Sequence, residues 1–367
     1  MSLVADLRML ARGILGHTPP PLIARPRRPV AAPTVRAGQA RAVVVTAVVR
    51  ETADAVSLTF RDPTGAALAF VPGQFFTIEV VLDGVRLRRA YSASSDARIT
   101  DTATITVKRV AGGRVSTFLV ERAAPGLGLA VLGPSGDFTL TDPPRHLIAI
   151  VGGSGITPIM AIARAVLSGA PDTRLDLIYG NRDRAAIIFA DALDALAQAH
   201  PTRLQVRHVL GAEGLDAAAI ADAVAAIAPP DDARYLVCGP TPMMVAARTA
   251  LAARAVAPGQ IREERFFAPA RPAAPIAAQP VTIRRGVATT RVIVAAGDTI
   301  LEAGLAAGVP LALSCAMGGC GACAVTLIAG DVVLDEPSCL TAAERGRGVI
   351  LACVARPTSP CTIEAPP

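Results

Sequence analysis

Lysine is almost absent from this chain: Lys108 is the only one, so nearly all of the basic charge is arginine. Net charge is +6 over 367 residues, aromatics make up 3%, and "RPRR" at 25 to 28 is the one basic block. Nucleic-acid binding calls for clustered cations interleaved with stacking rings, so that class of function is set aside. Enrichment in Arg, Ala and Pro reads instead as the codon bias of a GC-rich genome. Also lacking is any uninterrupted apolar run near the roughly 20 residues that a spanning helix requires. Much of the hydrophobic content of 52% is alanine, and a soluble protein is expected. Cysteines are few and odd in number, seven, and the opening "MSLVADLRMLARGILG" interrupts every apolar stretch with Asp6, Arg8 or Arg12. That opening does not read as a secretory signal, so the expectation is a reducing, cytoplasmic setting without structural disulfides.

What is present divides the chain into stretches of different texture. Residues 1–40 form an N-terminal extension in which Leu3, Val4, Leu7, Leu10 and Ile14 fall near helical spacing before a Pro/Ala-rich run. The segment reads as a terminal helix packed on its own protein or frayed, with peripheral contact to a partner or membrane surface as the rival. From 41 to 143 come short strands, "RAVVVTAVVR", "AVSLTF", "QFFTIEVVL", "ATITVKRV" and "LAVLGPSGDFTL", punctuated by Gly, Pro and Asp. These predict an antiparallel β-barrel. From 144 to 267 apolar strands alternate with amphipathic helices, which predicts an α/β domain with a parallel sheet covered on both faces. A Pro/Ala linker at 268–280 leads to a third unit, 281–367, with two strands, a helix at "DTILEAGLAAG" and a cysteine loop.

In that loop, "SCAMGGCGACAVTL", Cys315, Cys320 and Cys323 are spaced C-x4-C-x2-C, and Cys353 follows in "ILACVARP". This is the plant-type [2Fe–2S] pattern. Gly318, Gly319 and Gly321 remove side chains where a loop must wrap a cluster, permit positive φ, and let amide groups point at sulfur. Zinc is the main rival, but zinc sites present two separated C-x2-C knuckles, whereas one loop here supplies three ligands. Cys339, in "DEPSCLT", is the alternative fourth ligand and sits in a predicted loop.

With its distant "LACVARP", the segment C-A-M-G-G-C-G-A-C resembles the C-terminal ferredoxin domain of a family of bacterial three-part reductases. Their members serve phenylacetyl-CoA epoxidase, 3-ketosteroid 9α-hydroxylase and fatty-acid desaturase systems. The resemblance covers residues 41–367 and implies a β-grasp ferredoxin domain after a flavin barrel and a nucleotide domain. "RRAYSASS" is similar to the R-x-Y-S signature of the ferredoxin–NADP reductase superfamily. It implies that Arg89 pairs with the flavin pyrophosphate, Tyr91 packs on the isoalloxazine and Ser92 hydrogen-bonds near its N5. Gly112 and Gly113 make a turn, and Ser116 and Thr117 open a helix whose amides and dipole suit a phosphate. "GPSGDF" resembles the barrel-closing loop, which makes Gly136 structural.

The nucleotide half opens with "IVGGSGITPIMAI", in which Pro158 stands where G-x-G-x-x-G would place its last glycine. The superfamily's own form, G-G-x-G-I-T-P, fits instead. Gly152, Gly153 and Gly155 would let the backbone approach a pyrophosphate, Thr157 belongs to the same motif, and Pro158 pre-sets the first helical turn. "YLVCGPTPMM" fits the second fingerprint, with Cys238, Gly239 and Pro240 where nicotinamide would meet flavin. Cys238 is given a positioning role, since hydride transfer needs no nucleophile. By the same resemblance Glu264 and Phe266 border the flavin edge. Arg182 and Arg184, after the second strand, lean toward the 2′-phosphate of NADPH over NADH, although Asp183 lies between them.

The function implied is an electron-transfer reductase. NAD(P)H would reduce FAD, and single electrons would pass to a [2Fe–2S] cluster and on to a separate oxygenase, hydroxylase or desaturase. FAD is preferred to FMN on the resemblance alone. Two other classes remain: a redox sensor or assembly subunit that binds flavin and cluster without rapid turnover, and a flavin reductase with a zinc-stabilised interaction module. The ferredoxin unit carries six arginines against seven carboxylates, so charge names no acceptor.

Overall fold

The computed structural model describes residues 40–140, 142–211, 215–266, 276–335 and 338–366. The N-terminal extension through residue 39 and residues 267–275, most of the expected linker, lie outside the described residues. No helix among those described is long and apolar enough to cross a membrane.

The first sheet contains β1 (Arg41–Thr52), β2 (Ala55–Arg61), β3 (Phe75–Leu82), β4 (Val85–Ser92), β5 (Thr102–Lys108) and β6 (Gly128–Ser135), with helix α1 (Arg114–Arg122) between the last two. Its order is β4-β3-β6-β1-β2-β5, antiparallel throughout. Ala93 bridges Ile105, and the Ser94 amide donates to the Thr104 carbonyl at 2.8 Å, so the two ends of the sheet meet. The period-two pattern is plain in β5, where Ala103, Ile105 and Val107 are fully buried. Threonines on the other face satisfy one another's neighbours, Thr106 with Ser57 at 2.8 Å and Thr104 with Thr59 at 2.9 Å. Sequence texture predicts five strands here, and six stand among the described residues. The extra one, β4, is the segment read as a flavin motif, and it is brought back onto β3 by the two-residue Asp83–Gly84 turn, both with positive φ.

The second sheet is parallel: β7 (His146–Gly152), β8 (Arg174–Asn181), β9 (Leu204–Leu210), β10 (Arg234–Cys238) and β11 (Ile261–Glu264), in the order β11-β10-β7-β8-β9. Helices α2 (Ile156–Gly169), α3 (Ala190–Ala199), α4 (Ala217–Ile227) and α5 (Thr241–Ala253) connect the strands. Every residue of β7 is buried, as a central parallel strand covered on both faces must be. One core lies on each face, around Ile159, Met160 and Tyr179 on one side and Ile148, Val237 and Leu251 on the other. Strand order reverses between β7 and β10, which opens a crevice beyond their carboxyl ends.

The third unit holds β12 (Gln279–Arg285), β13 (Ala288–Val294), helix α6 (Ile300–Ala306), β14 (Ala324–Ala329), β15 (Val332–Leu334), helix α7 (Ala342–Gly346), β16 (Val349–Leu351), β17 (Ala355–Pro357) and β18 (Cys361–Ala365). β12 pairs parallel with β18 and antiparallel with β13, and β18 continues to β14 and β16. Ile300 and Leu301 of α6 pack with Val281 and Ile283 of β12, the helix-on-sheet arrangement of a β-grasp. A reciprocal cap fixes the start of α6: the Thr299 hydroxyl accepts from the Glu302 amide at 3.3 Å while Glu302 Oε2 accepts from the Thr299 amide at 2.9 Å. Only two strands are expected from sequence against seven among the described residues, because segments as short as β15, β16 and β17 hold no alternation to read.

The turns that end β7 and β10 touch directly. A Cβ on Gly155 would lie 2.1 Å from the Cys238 carbonyl oxygen, and one on Gly152 would lie 2.8 Å from Pro240 Cδ. The glycines are therefore needed for protein–protein approach before any ligand is considered. Gly155→Ala should cost about 2 kcal/mol or more, because the obstacle is backbone and cannot swing aside. Thermal unfolding should show the nucleotide half melting at least about 4 °C lower. An unchanged melting profile would mean that the two turns are looser than this contact implies.

Candidate functional site

Three units of the chain line one cavity of about 510 Å³. The barrel supplies Arg89, Tyr91 and Ser92 from β4 and Gly112, Gly113 and Ser116 from the turn into α1. From the parallel-sheet unit come Ser154, Thr157, Glu264 and Phe266, and from the cysteine loop Cys315, Met317, Gly319 and Cys320. That size is ordinary for a cofactor pocket.

At the barrel wall, β4 carries Tyr91 facing the cavity, and burial raises its hydroxyl well above the usual phenol range, so the ring stays neutral. Arg89 lies two residues earlier, on the same face of the strand, and donates to the Arg88 carbonyl at 2.6 Å. Ser92 Oγ donates to Glu264 Oε2 at 3.5 Å, joining β4 to the end of β11. Enclosure pushes the Glu264 carboxyl up to about 8; the Ser92 contact opposes this and the Asp137 charge adds to it.

The helix α1 begins at Arg114, two residues before the expected start. Its N-cap is Gly113, which has no side chain to accept from the first turn. Ser116, a wall of the cavity, is tied to its own turn: its hydroxyl accepts from the Val110 amide at 3.1 Å and donates to the Gly113 carbonyl at 3.3 Å. The serine thus builds the turn, and the helix's own first-turn amides are left to meet an anion.

Across the cavity the Gly153–Gly155 turn is held by Tyr179, whose hydroxyl donates to the Gly153 carbonyl at 3.0 Å, and by Thr157, which donates to the Ser154 carbonyl at 3.0 Å. Gly152, Gly155, Pro158, Cys238, Gly239 and Pro240 stand behind this turn and are not walls of the cavity. Cys238 is fully enclosed, and its thiol is pushed far above the ordinary range by burial first and by Glu264 second. It is no thiolate nucleophile. Arg182 and Arg184 are exposed beyond the end of β8, while Asp183 Oδ1 accepts from the Ala186 amide at 2.9 Å and so is committed to its own short turn.

The four motif cysteines gather two and two. Cys315 and Cys320 share a hydrogen bond, as do Cys323 and Cys353. Within the first pair the Cys320 thiol is lowered to about 5, chiefly by the bond from Cys315, and Cys323 is lowered in the same way by Cys353. Four thiols in two close pairs are a donor set that fits two irons. Amides also point at sulfur, Gly318 N to Cys353 Sγ at 3.2 Å and Met317 N to Cys315 Sγ at 3.4 Å. Gly318 and Gly321 have positive φ; Gly319 does not, and Ala316 does instead. Cys339 stays in coil, its amide donating to the Gly318 carbonyl at 2.8 Å, which braces the loop from outside.

Sequence reasoning missed what joins loop to barrel. Thr77 Oγ1 of β3 donates to the Ser314 carbonyl at 2.9 Å across 237 residues of chain, and Phe75 and Ala90 pack against Cys315 and Met317. No local signal could have found this. It also missed Lys108, Glu263 and Arg265 as cavity walls. For Lys108 the alternation of β5, which puts Thr106 and Lys108 on one face, was available.

Comparison with known proteins follows the same division. The oxidoreductase FAD-binding domain model matches residues 42–140, the oxidoreductase NAD-binding domain model 149–249, and the 2Fe-2S iron-sulfur cluster binding domain model 285–358. The ferredoxin reductase component of 3-ketosteroid-9-alpha-monooxygenase from Mycobacterium tuberculosis is 38% identical over 85% of this chain and 92% of that protein. One component of the 1,2-phenylacetyl-CoA epoxidase from Escherichia coli is 32% identical over 86% of this chain and 94% of its own length. Among solved structures, phthalate dioxygenase reductase superposes with a TM-score of 0.69 at 25% identity, covering 89% of this chain and 98% of the other.

Glu264 gives a pH signature with a definite sign. Its folded value of about 8 exceeds the ordinary 4.5, so the folded state holds more protons and stability falls as pH rises between those values. The loss is at most about 1.4 kcal/mol per pH unit. Glu264→Gln should remove it, so the variant's melting temperature should gain on the parent from pH 5 to 8 and run parallel above. Parallel curves throughout would show that the carboxylate is not held neutral.

Proposed function

The chain belongs to the family of three-domain reductases that join an FAD-binding barrel, an NAD-binding domain and a plant-type [2Fe–2S] ferredoxin, and from that premise we propose how its residues divide the work. It is an oxidoreductase that carries electrons from NAD(P)H through FAD and the cluster toward an oxygenase-type acceptor. The observation that carries the reading is the single cavity walled by the R-x-Y-S strand, the glycine-turn helix and the Cys315–Cys320 loop.

Bound there, FAD would supply a two-electron acceptor for hydride, and a [2Fe–2S] cluster held by the four thiols would supply a one-electron carrier. Tyr91 would give the flavin ring an apolar wall, Arg89 and the first turn of α1 would hold its pyrophosphate, and Ser92 would donate at the reacting edge. Glu264 reinforces Ser92 by accepting its proton's hydrogen bond. Kept neutral by enclosure, it places little charge beside an arriving hydride. Cys238 acts through shape, its carbonyl seated on Gly155 so that the nicotinamide side of the crevice keeps its form. The acceptor is a separate oxygenase, hydroxylase or desaturase, by likeness to the named relatives. The domain limits of the sequence analysis, 41–143, 144–267 and 281–367, stand as part of this proposal.

The ligand assignment tests the electron path. Cys353→Ser should lose the visible bands of the cluster and reduction of a reconstituted oxygenase, while NAD(P)H-driven ferricyanide reduction stays within about twofold, because hydride transfer uses none of the four thiols. Cys339→Ser should keep both. Equal iron and sulfide loss in the two variants would defeat the assignment.

The arginines beyond β8 favour NADPH, since the intervening carboxylate is occupied by its own turn. Replacing Arg182 and Arg184 together with Ala should raise KM for NADPH about tenfold or more and leave NADH nearly unmoved, as only NADPH presents a 2′-phosphate. A parallel rise for both cofactors would remove these residues as the determinant.

A further inference from the structure

Beside the last cluster thiol lies a buried ion pair that hydride transfer and cluster ligation leave without a role. Arg356 of β17 is 4% exposed and Asp335, just past β15, is 5% exposed. Their contact is bidentate, Nε donating to Oδ1 at 3.1 Å and Nη2 to Oδ2 at 3.0 Å, and Nη1 donates to the Gly297 carbonyl. Taking two charges out of water often costs as much as their attraction returns, so a pair kept this close to Cys353 points to a use beyond stability. We propose that Asp335 and Arg356 are positioning residues of the cluster: the pair fixes the chain that carries Cys353, and the carboxylate offsets the guanidinium's attraction for the electron that the cluster takes up.

The inference rests on the [2Fe–2S] reading above and extends it. Cys353 and Val354 link β16 to β17, and the far end of that link is tied to β15. The Asp335 amide donates to the Val354 carbonyl at 2.9 Å, and Val333 and Leu334 pair with Arg356 and Ala355. Val354 in turn supports the cysteine loop: a Cβ on Gly318 would stand 3.2 Å from Val354 Cγ1, and the Gly318 amide donates to Cys353 Sγ at 3.2 Å. Charge acts over the same short span. Asp335, Arg356 and Cys353 are walls of one small cavity of about 40 Å³, closed from the barrel side by Arg88 and Arg89. Arg88 is matched by Glu79 at 2.7 Å, and Glu302, a further wall, caps its own helix through Thr299. A space of that size admits only a few waters, so charges act across it with little screening. Reduction adds one negative charge to a cluster held by Cys353. An unmatched cation there would favour the reduced state and an unmatched carboxylate would oppose it. Paired, the two leave the couple to the thiolates and the amides that point at them.

The experiment is a redox titration of the full-length holoprotein with mediator dyes, following the paramagnetic resonance of the reduced cluster, with bleaching of the flavin as internal reference. Asp335→Asn removes the negative charge and keeps the shape. It should shift the one-electron equilibrium toward the reduced cluster about fivefold or more, where tenfold corresponds to about 59 mV. Arg356→Gln should shift it the other way. Asp335→Asn combined with Arg356→Gln should return to within about twofold of the parent, because neither charge remains, whereas a brace damaged twice would not recover. The flavin couple should stay in place throughout. The combined variant also decides the matter where a single one fails to assemble the cluster, since it leaves no unmatched buried charge. Three results would overturn the proposal and leave the reductase reading intact: an Asp335→Asn protein at the parent's potential, single variants shifted in the same direction, or a combined variant that holds no cluster or stays as far from the parent as the single ones. A parent chain without iron and sulfide would overturn both.

Discussion

The seating of the cysteine loop on the flavin barrel is the contact on which the electron path depends. Thr77 holds the Ser314 carbonyl, Phe75 and Ala90 pack on Cys315 and Met317, and the next loop positions open into the flavin cavity. Electron tunnelling falls away steeply with distance, so a cluster reduced by a flavin must share a wall with it. Here the wall is made by elements that are far apart in sequence and compact in space. The hydride side obeys the same constraint, since the crevice between β7 and β10 opens toward the same cavity through Ser154 and Thr157.

Burial keeps three groups at the meeting point neutral. Glu264 is held neutral up to about pH 8, the Cys238 thiol does not ionise, and Tyr91 keeps its proton. Ionic groups share the same walls, Arg89, Lys108, Glu263 and Arg265 among them, and Arg182 and Arg184 stand beyond β8. Neutral groups suit a two-electron transfer in which hydride crosses without a separate proton, whereas fixed cations suit phosphates that never react.

Motifs were legible in the sequence where chemistry forces particular residues into consecutive positions. The cysteine spacing, the R-x-Y-S strand and the G-G-x-G-I-T-P turn each occupy fewer than a dozen residues, and the glycines at 318 and 321 do take positive φ. Alternation likewise announced the barrel and the parallel sheet. Reasons for individual residues were less legible. Gly155 is needed because the Cys238 carbonyl lies against it, and Ser116 faces its own turn; neither fact leaves a local trace. The three-residue strands of the ferredoxin unit are too short to carry a period, and the Thr77–Ser314 contact links residues that no spacing rule relates. What sequence cannot carry is contact between units.

Docking at the flavin also bears on delivery to an acceptor. Loop and barrel are joined by the Thr77 hydrogen bond, worth about 1 kcal/mol net, and by a small apolar patch in which Phe75 and Met317 are the large members. Each buried side chain of that kind adds roughly 1.5–3 kcal/mol. Phe75, Cys315 and Met317 are all buried, yet the patch is small beside the core of either unit, where Ile283, Leu301 and Leu351, or Phe60, Phe76 and Ile105, are buried outright. A seam of that size holds the loop at the barrel, where electron entry needs it, without merging the two cores. Entry demands the docked geometry, and an acceptor protein needs its own approach to the same loop. A tightly fused interface would serve the first at the expense of the second; the Thr77 hydrogen bond and its few apolar neighbours supply the docked geometry with little surface committed to it.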